Sequence, residues 1–320
     1  MSAPEVVVQV EGLVKDFRPG FGLTRKRVLH GIDLEVHRGE VFAFIGPNGA
    51  GKTTLLKVLL GLIRATEGHA SILGSDVRET AVRSRIGFLP ESPYFYDFLT
   101  GREILHFYAK ISGVEGSTRD RRVDSLLESV GLSHAGDLRL RSYSKGMLQR
   151  VGIAQALVHD PEVVFLDEPM SGLDPEGRKE IRDLILQLHA SGKTVFMNTH
   201  ILSDVEVICD RVAIIAEGRI VHEGLVHDLP GSEGQFYDIN VAGLTPELAE
   251  SLQDEFQAEL RGRSERIDVR VPEKSVDEVL GKVLAQGGAV RGVTPVKAAL
   301  EDLFMRAVHD RAPKSREEGR

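Results

Sequence analysis

The amino-acid sequence predicts an α/β fold: a mainly parallel sheet covered by helices, a helical stretch inserted in it, and a small α+β domain behind it. Three observations lead there. Apolar strand-like runs alternate with longer helix-like stretches over about the first 225 residues. The runs at 41–45, 163–166 and 194–197 are continuously apolar, as strands buried on both faces are. Between about 94 and 140 the strand signal vanishes and helical spacing takes over, with Val123, Leu126, Leu127 and Val130 on one face.

Further strand signals fall at 6–10, 85–89 and 211–216. The breaker cluster Leu229-Pro230-Gly231-Ser232-Glu233-Gly234 reads as a linker. Beyond it, 236–241 and 266–271 alternate apolar with polar residues, as half-buried strands do. Thr245-Pro246 opens a helix with a capping residue and an N1 proline, and Leu248, Leu252 and Phe256 form its apolar stripe. Val276, Val279, Leu280 and Val283 mark a second helix, stopped by Gly287-Gly288, and 300–308 a third. The charged, apolar-poor stretch 311–320 is expected to be disordered. The expected organisation is a large domain over 5–228 with its helical subdomain at about 92–145, a linker at 229–234, an accessory domain at 235–310 and a tail at 311–320.

Bulk composition narrows the class. A chain of 320 residues, 42% hydrophobic and 28% charged, has the balance of a soluble globular protein with room for two domains. The single cysteine, Cys209, cannot form an internal bridge; it reads as a small buried apolar residue in a strand-like context at 205–215, which suits a reducing cytoplasm. A net charge of -8 argues against a general nucleic-acid binder. No apolar run approaches the about 20 residues of a spanning helix, and the start lacks the features of a secretion signal. Any membrane-spanning part is therefore expected on another chain.

Gly46-Pro47-Asn48-Gly49-Ala50-Gly51-Lys52-Thr53 fits G-x-x-x-x-G-K-[ST] and lies between the 41–45 strand and a helical stretch that begins with Thr54. The glycines let backbone N–H groups turn inward around phosphate oxygens, and the helix start adds its positive end. In this pattern Lys52 reaches the β- and γ-phosphates and the Thr53 hydroxyl ligates Mg²⁺. ATP and Mg²⁺ are the expected cofactors. The 163–166 strand runs into Asp167-Glu168, and carboxylates at that end of a parallel strand face the ligand crevice. Asp167 suits Mg²⁺, and Glu168 suits polarising the attacking water as a general base.

This order of motifs resembles the ABC ATPases over roughly residues 5–225. The resemblance implies a P-loop core with an added antiparallel β region. It also implies a signature motif at Ser144-Lys145-Gly146-Met147, following Tyr143, which completes the nucleotide site of the opposite subunit. Lys145 and Met147 stand where Gly and Gln are commoner, and Ser144 can equally be read as the N-cap of the next helix. Ser171-Gly172-Leu173-Asp174 is similar to the family's D-loop. Asn198-Thr199-His200 resembles the switch whose histidine senses the γ-phosphate, and Phe17 sits where the family stacks an aromatic on adenine. Where the family has a Mg²⁺-contacting glutamine, this chain has Leu89-Pro90-Glu91, a carboxylate able to ligate the metal.

Glu91, the Tyr-Ser-Lys-Gly-Met signature and Leu300-Glu301-Asp302-Leu303-Phe304 resemble the branch that pairs with separate ABC-2-type membrane permeases, mostly exporters. The resemblance implies an ATP-hydrolysing subunit that closes head-to-tail over two ATP molecules, as a homodimer or with a related cassette. It would be cytoplasmic, held peripherally on the membrane's cytoplasmic face by its permease, and would bind no nucleic acid. Tyr94, Phe95, Tyr96 and Phe98 suit a patch facing that permease, or else pack the helical subdomain. Arg25-Lys26-Arg27 reads as a solvated hairpin tip, or as a contact to anionic lipid. The alternative class is a soluble ABC ATPase without transport, or a regulatory ABC protein. A single set of motifs, with Lys52 and Ser144 92 residues apart, speaks against the two-cassette and coiled-coil versions of it.

Overall fold

The computed structural model describes residues 4–18, 25–228, 236–256, 258–263, 266–295, 300 and 304. These form two compact units, divided between Gly224 and Leu225. The expected linker at 229–234 and the tail at 311–320 lie outside the described residues, as does most of the expected third helix.

In the larger unit the strands are β1 (Val6–Phe17), β2 (Lys26–His37), β3 (Val41–Ile45), β4 (Glu67–Ile72), β5 (Ser75–Asp76), β6 (Ile86–Leu89), β7 (Val163–Asp167), β8 (Thr194–Thr199), β9 (Arg211–Ala216) and β10 (Arg219–Leu225). Six make one sheet in the order β10-β9-β3-β8-β7-β6, and the pairings of β9 with β3, β3 with β8, β8 with β7 and β7 with β6 are all parallel. Every residue of β3, β7 and β8 is buried, which is why their sequences carry no alternation. Phe42, Phe44 and Phe165 gather around Phe196, with ring centroids 5.5–6.0 Å apart, and clamp these strands together. The second sheet, β2-β1-β4-β5, is antiparallel and supplies the expected antiparallel region.

The helices are α1 (Lys52–Leu59), α2 (Gly101–Ile111), α3 (Gly116–Ser129), α4 (Lys145–Ala156), α5 (Pro175–Ala190) and α6 (Leu202–Ile208). Thr100 opens α2 with a reciprocal capping box: its hydroxyl accepts from the Glu103 N–H, and Glu103 accepts from the Thr100 N–H. Helices α2, α3 and α4 occupy the region where strand signals fail. The strand-like context expected for Cys209 is a helix end instead. Val205 and Ile208 bury one face of α6, and Cys209 follows it half-buried, with burial pushing its thiol well up. A helix this short leaves too few turns for its period to stand out from a strand run.

The smaller unit contains β11 (Phe236–Ala242), α7 (Pro246–Phe256), β12 (Glu259–Arg263), β13 (Arg266–Pro272), α8 (Val276–Ala285) and β14 (Ala289–Pro295). Its sheet runs β12-β13-β11-β14, with all pairings antiparallel. Ile239, Val241, Val269 and Val271 point to one side and meet Leu248, Leu252, Val279 and Val283 in a separate core. The alternation of each strand is the direct trace of that one-sided burial.

Candidate active site

The site lies at the ends of β3, β7 and β8. Ile45 pairs with Thr199, and Asp167 pairs with Asn198, so the three strands finish level. The phosphate-loop residues, the two acids and the Asn198-Thr199-His200 stretch therefore emerge side by side. Gly46 turns the chain out of β3, where a Cβ would lie 2.3 Å from the Ile215 carbonyl oxygen. Gly51 takes a left-handed φ of 117° immediately before α1.

Lys52 is buried under this loop. Its ammonium donates to the Gly46 carbonyl at 2.6 Å and stands 3.9 Å from Glu168 Oε1. Burial lowers its pKa, and the charges of Glu168, Asp167 and Glu91 oppose that shift. Asp167 accepts from Asn198 Nδ2 at 3.0 Å; burial raises its pKa against that hydrogen bond, and the charge of Glu91 adds to the rise. Glu168 is raised by burial too, opposed chiefly by His200, whose Nδ1 lies 2.7 Å from Glu168 Oε2. The Glu168 backbone has φ of 49°, a left-handed conformation that costs a non-glycine residue about 1–3 kcal/mol. Its N–H donates to the Asn198 carbonyl at 2.9 Å, which ties this strained residue to β8.

A cavity of about 360 Å³ opens over these groups. Lys52, Glu91, Glu168, Ser171 and His200 line it together with Asn48, Gly49, Gly51, Thr53 and Thr54 of the phosphate loop and the start of α1. Glu91, which follows β6, thus faces the same space as Glu168. Phe17 does not line the cavity; it ends β1 with 40% of its surface exposed.

Sequence reasoning missed Val28, which lines the cavity wall. Lys15 pairs with Leu29 while Asp16 pairs with Arg27, so Val28 is the extra residue of a β-bulge, a device that re-aims a side chain. Its carbonyl leaves no room for a Cβ on Gly218, which would sit 2.0 Å away. No motif marks such a bulge in the sequence. The cluster at 25–27 resolves here as well: Arg27 lies on β2 and pairs with Asp16 at 2.8 Å instead of standing free at a tip.

The signature residues open onto a different cavity of about 420 Å³, which shares no lining residue with the first. Ser144, Lys145 and Gly146 form one wall, and Gly172, Leu173 and Asp174 another. Ser144 Oγ accepts from the Met147 N–H at 3.2 Å and caps α4, as the N-cap reading of this residue expects. Asp174 caps α5 in the same way through the Gly177 N–H at 2.8 Å. Tyr94, Tyr96 and Phe98 lie on the surface at 91%, 58% and 62% exposure, so they are not core.

A protein of Synechocystis described as an ABC transporter ATP-binding protein is 41% identical over 314 residues, 95% of this chain and 85% of its own length. The chain belongs to the ABC transporter ATP-binding proteins. The ABC transporter family model matches residues 29–171. The bacitracin transport ATP-binding protein BcrA of Enterococcus faecalis is 32% identical over 313 residues, 96% of this chain and 98% of its own. Among solved structures, a dimeric ATP-binding cassette in a post-hydrolysis state with ADP and Pi matches with a TM-score of 0.63 at 25% identity, covering 68% of this chain and 98% of that one. The fold is accordingly that of the ABC ATPases, a family of ATP-binding and ATP-hydrolysing cassettes.

Proposed function

We propose that this ABC protein hydrolyses ATP between two copies of itself, or with a related cassette, and so drives a separate membrane permease of the ABC-2 type in export. One observation carries the reading. Lys52, Glu91, Glu168 and His200 converge on one cavity, while Ser144 opens onto another. A chain with both half-sites apart can complete each only by meeting a second chain head-to-tail.

Within the first cavity, the loop from Gly46 to Gly51 wraps phosphates with backbone N–H groups, and Lys52 holds the terminal phosphates. The donors Thr53 and Asp167, with Glu91 nearby, are hard oxygens that fit Mg²⁺, whose other ligands the nucleotide and water supply. Burial raises Asp167 and the negative charge of Glu91 adds to the rise, and a cation bound between them would oppose both. Bound there, the ion would neutralise charge on the transferring phosphoryl group. Glu168 takes a proton from the attacking water, and His200, on its Oε2, orients it and reads the γ-phosphate. From the facing chain, Ser144, Gly146 and the α4 start contact that same phosphate, with Lys145 and Met147 beside them. Ser171 to Asp174 carry the contact across. Phe17 stacks on the base.

Export rests on the relatives' names, bacitracin transport and daunorubicin resistance among them, and on the exposed Tyr94, Tyr96 and Phe98 as a permease-facing patch, with Phe95 half-buried among them. Among the described residues no helix is long and apolar enough to cross a membrane, which fits a cassette on the cytoplasmic face with its permease on another chain.

The test is Glu168→Gln with ATP and Mg²⁺ on a gel-filtration column. The variant should keep ATP binding, lose hydrolysis by roughly 10²- to 10⁴-fold, and elute as a dimer that collapses when ATP is removed. Monomers alone under saturating ATP would sink the head-to-tail reading.

A further inference from the structure

An aromatic ring has two faces, and in Phe17 one of them is taken. Lys15 precedes Phe17 by two residues on β1, and its ammonium stands 4.9 Å from the centre of the Phe17 ring. The same ammonium donates to the Arg64 carbonyl at 2.7 Å, in the segment that leaves α1. A lysine on a strand would ordinarily sweep through many rotamers; this one is fixed at its far end by backbone. Phe17 still keeps 40% of its surface exposed. On the neighbouring strand Phe17 pairs with Lys26, two residues before the bulge that turns Val28 into the phosphate cavity. The ring and the phosphate-binding cavity therefore share one edge of the β1–β2 ribbon.

We propose that Lys15 is a positioning residue for the nucleotide base, covering one face of Phe17 so that only the opposite face receives a purine. The physical reason is twofold. Clamped by Arg64, Lys15 holds the ring in one rotamer, so less side-chain freedom remains to be lost when a base arrives. A cation over one face also draws ring electron density towards itself. The far face is then less negative, and the π-cloud of a purine meets less repulsion there. This proposal rests on Phe17 as the base-stacking residue.

Steady-state ATP hydrolysis by the full chain tests it, with tripolyphosphate as a competitor that has phosphates but no base. Lys15→Met keeps an unbranched side chain one atom shorter and removes its charge. It should raise KM for ATP about 2- to 5-fold, leave kcat within about twofold, and leave inhibition by tripolyphosphate unchanged. Lys15→Arg should return KM most of the way, because a guanidinium also covers a ring face. Equal KM values for Lys15→Met and wild type would overturn the proposal. So would a parallel loss of ATP and tripolyphosphate affinity, which would place Lys15 on the phosphates or the loop fold. Phe17→Ala separates the two layers. If it raises KM for ATP but spares tripolyphosphate while Lys15→Met does nothing, stacking stands and only the role of Lys15 falls. If it leaves KM unchanged, the stacking reading fails and takes Lys15 with it.

Discussion

The two cavities of the larger unit treat charge in opposite ways. Around the phosphate loop, Lys52, Asp167 and Glu168 are all buried, and burial pushes each of them towards its neutral form. Around the signature, Ser144 and Lys145 are exposed, and Ser144 and Asp174 spend their side chains on capping helices. In the first cavity Glu168 stands between Lys52 and His200, and Asp167 beside it is held by Asn198. The second is lined in part by residues whose side chains are engaged in capping the helices that follow them.

The largest expected break in that contrast is Lys52→Met. It removes the buried cation and leaves Glu168 and Asp167 facing phosphates alone, so ATP affinity measured by calorimetry should fall roughly 10- to 150-fold, the worth of one charge-assisted contact. Ser144→Ala should act differently. ATP binding to a single chain should stay within about twofold, while hydrolysis falls roughly tenfold or more because the facing phosphate loses a donor. The lost cap costs about 0.5–2 kcal/mol as well, seen as a lower melting temperature. Ser144→Asp separates those effects, since it restores the cap and the melting temperature but sets a like charge against the phosphate. If Ser144→Asp regains hydrolysis, the second cavity is not a phosphate contact.

The smallest effect is on pH dependence. As the proposed proton acceptor Glu168 must be a carboxylate, and burial raises its pKa above the ordinary glutamate value. Activity should therefore fall as pH drops through that raised value, earlier than for an exposed glutamate. His200 is the chief group opposing the rise. Its removal in His200→Ala should move the acid limb to still higher pH, read from a pH profile of the residual activity. A limb that moves downward would mean that His200 does not act on Glu168.

Much of this was legible in the sequence where burial or chemistry leaves a direct mark. The strands at 41–45, 163–167 and 194–199 show as unbroken apolar runs because both faces are covered. The phosphate loop and the Asp167-Glu168 pair are set by what phosphate and metal require. Strands that share their surface with solvent were harder to see. Strand β2 begins with Lys26 and Arg27, and β12, Glu259 to Arg263, is largely charged because it lies at a sheet edge. Val28 and the left-handed backbone of Glu168 left no trace, because a bulge and a dihedral angle depend on partners far along the chain. Position 91 was visible as a departure from the family, and its place in the cavity required the fold.

The backbone of Glu168 has one last consequence. An acid on a conformation suited to glycine, mostly buried beside a second acid, is a weak point that the surrounding sheet must hold in shape. Swapping in a glycine would relax the main chain and remove a buried carboxylate in a single step, and would also abolish the proposed proton acceptor. Heat resistance and turnover therefore pull this position in opposite directions, and the sturdiest version of the chain would be an idle one.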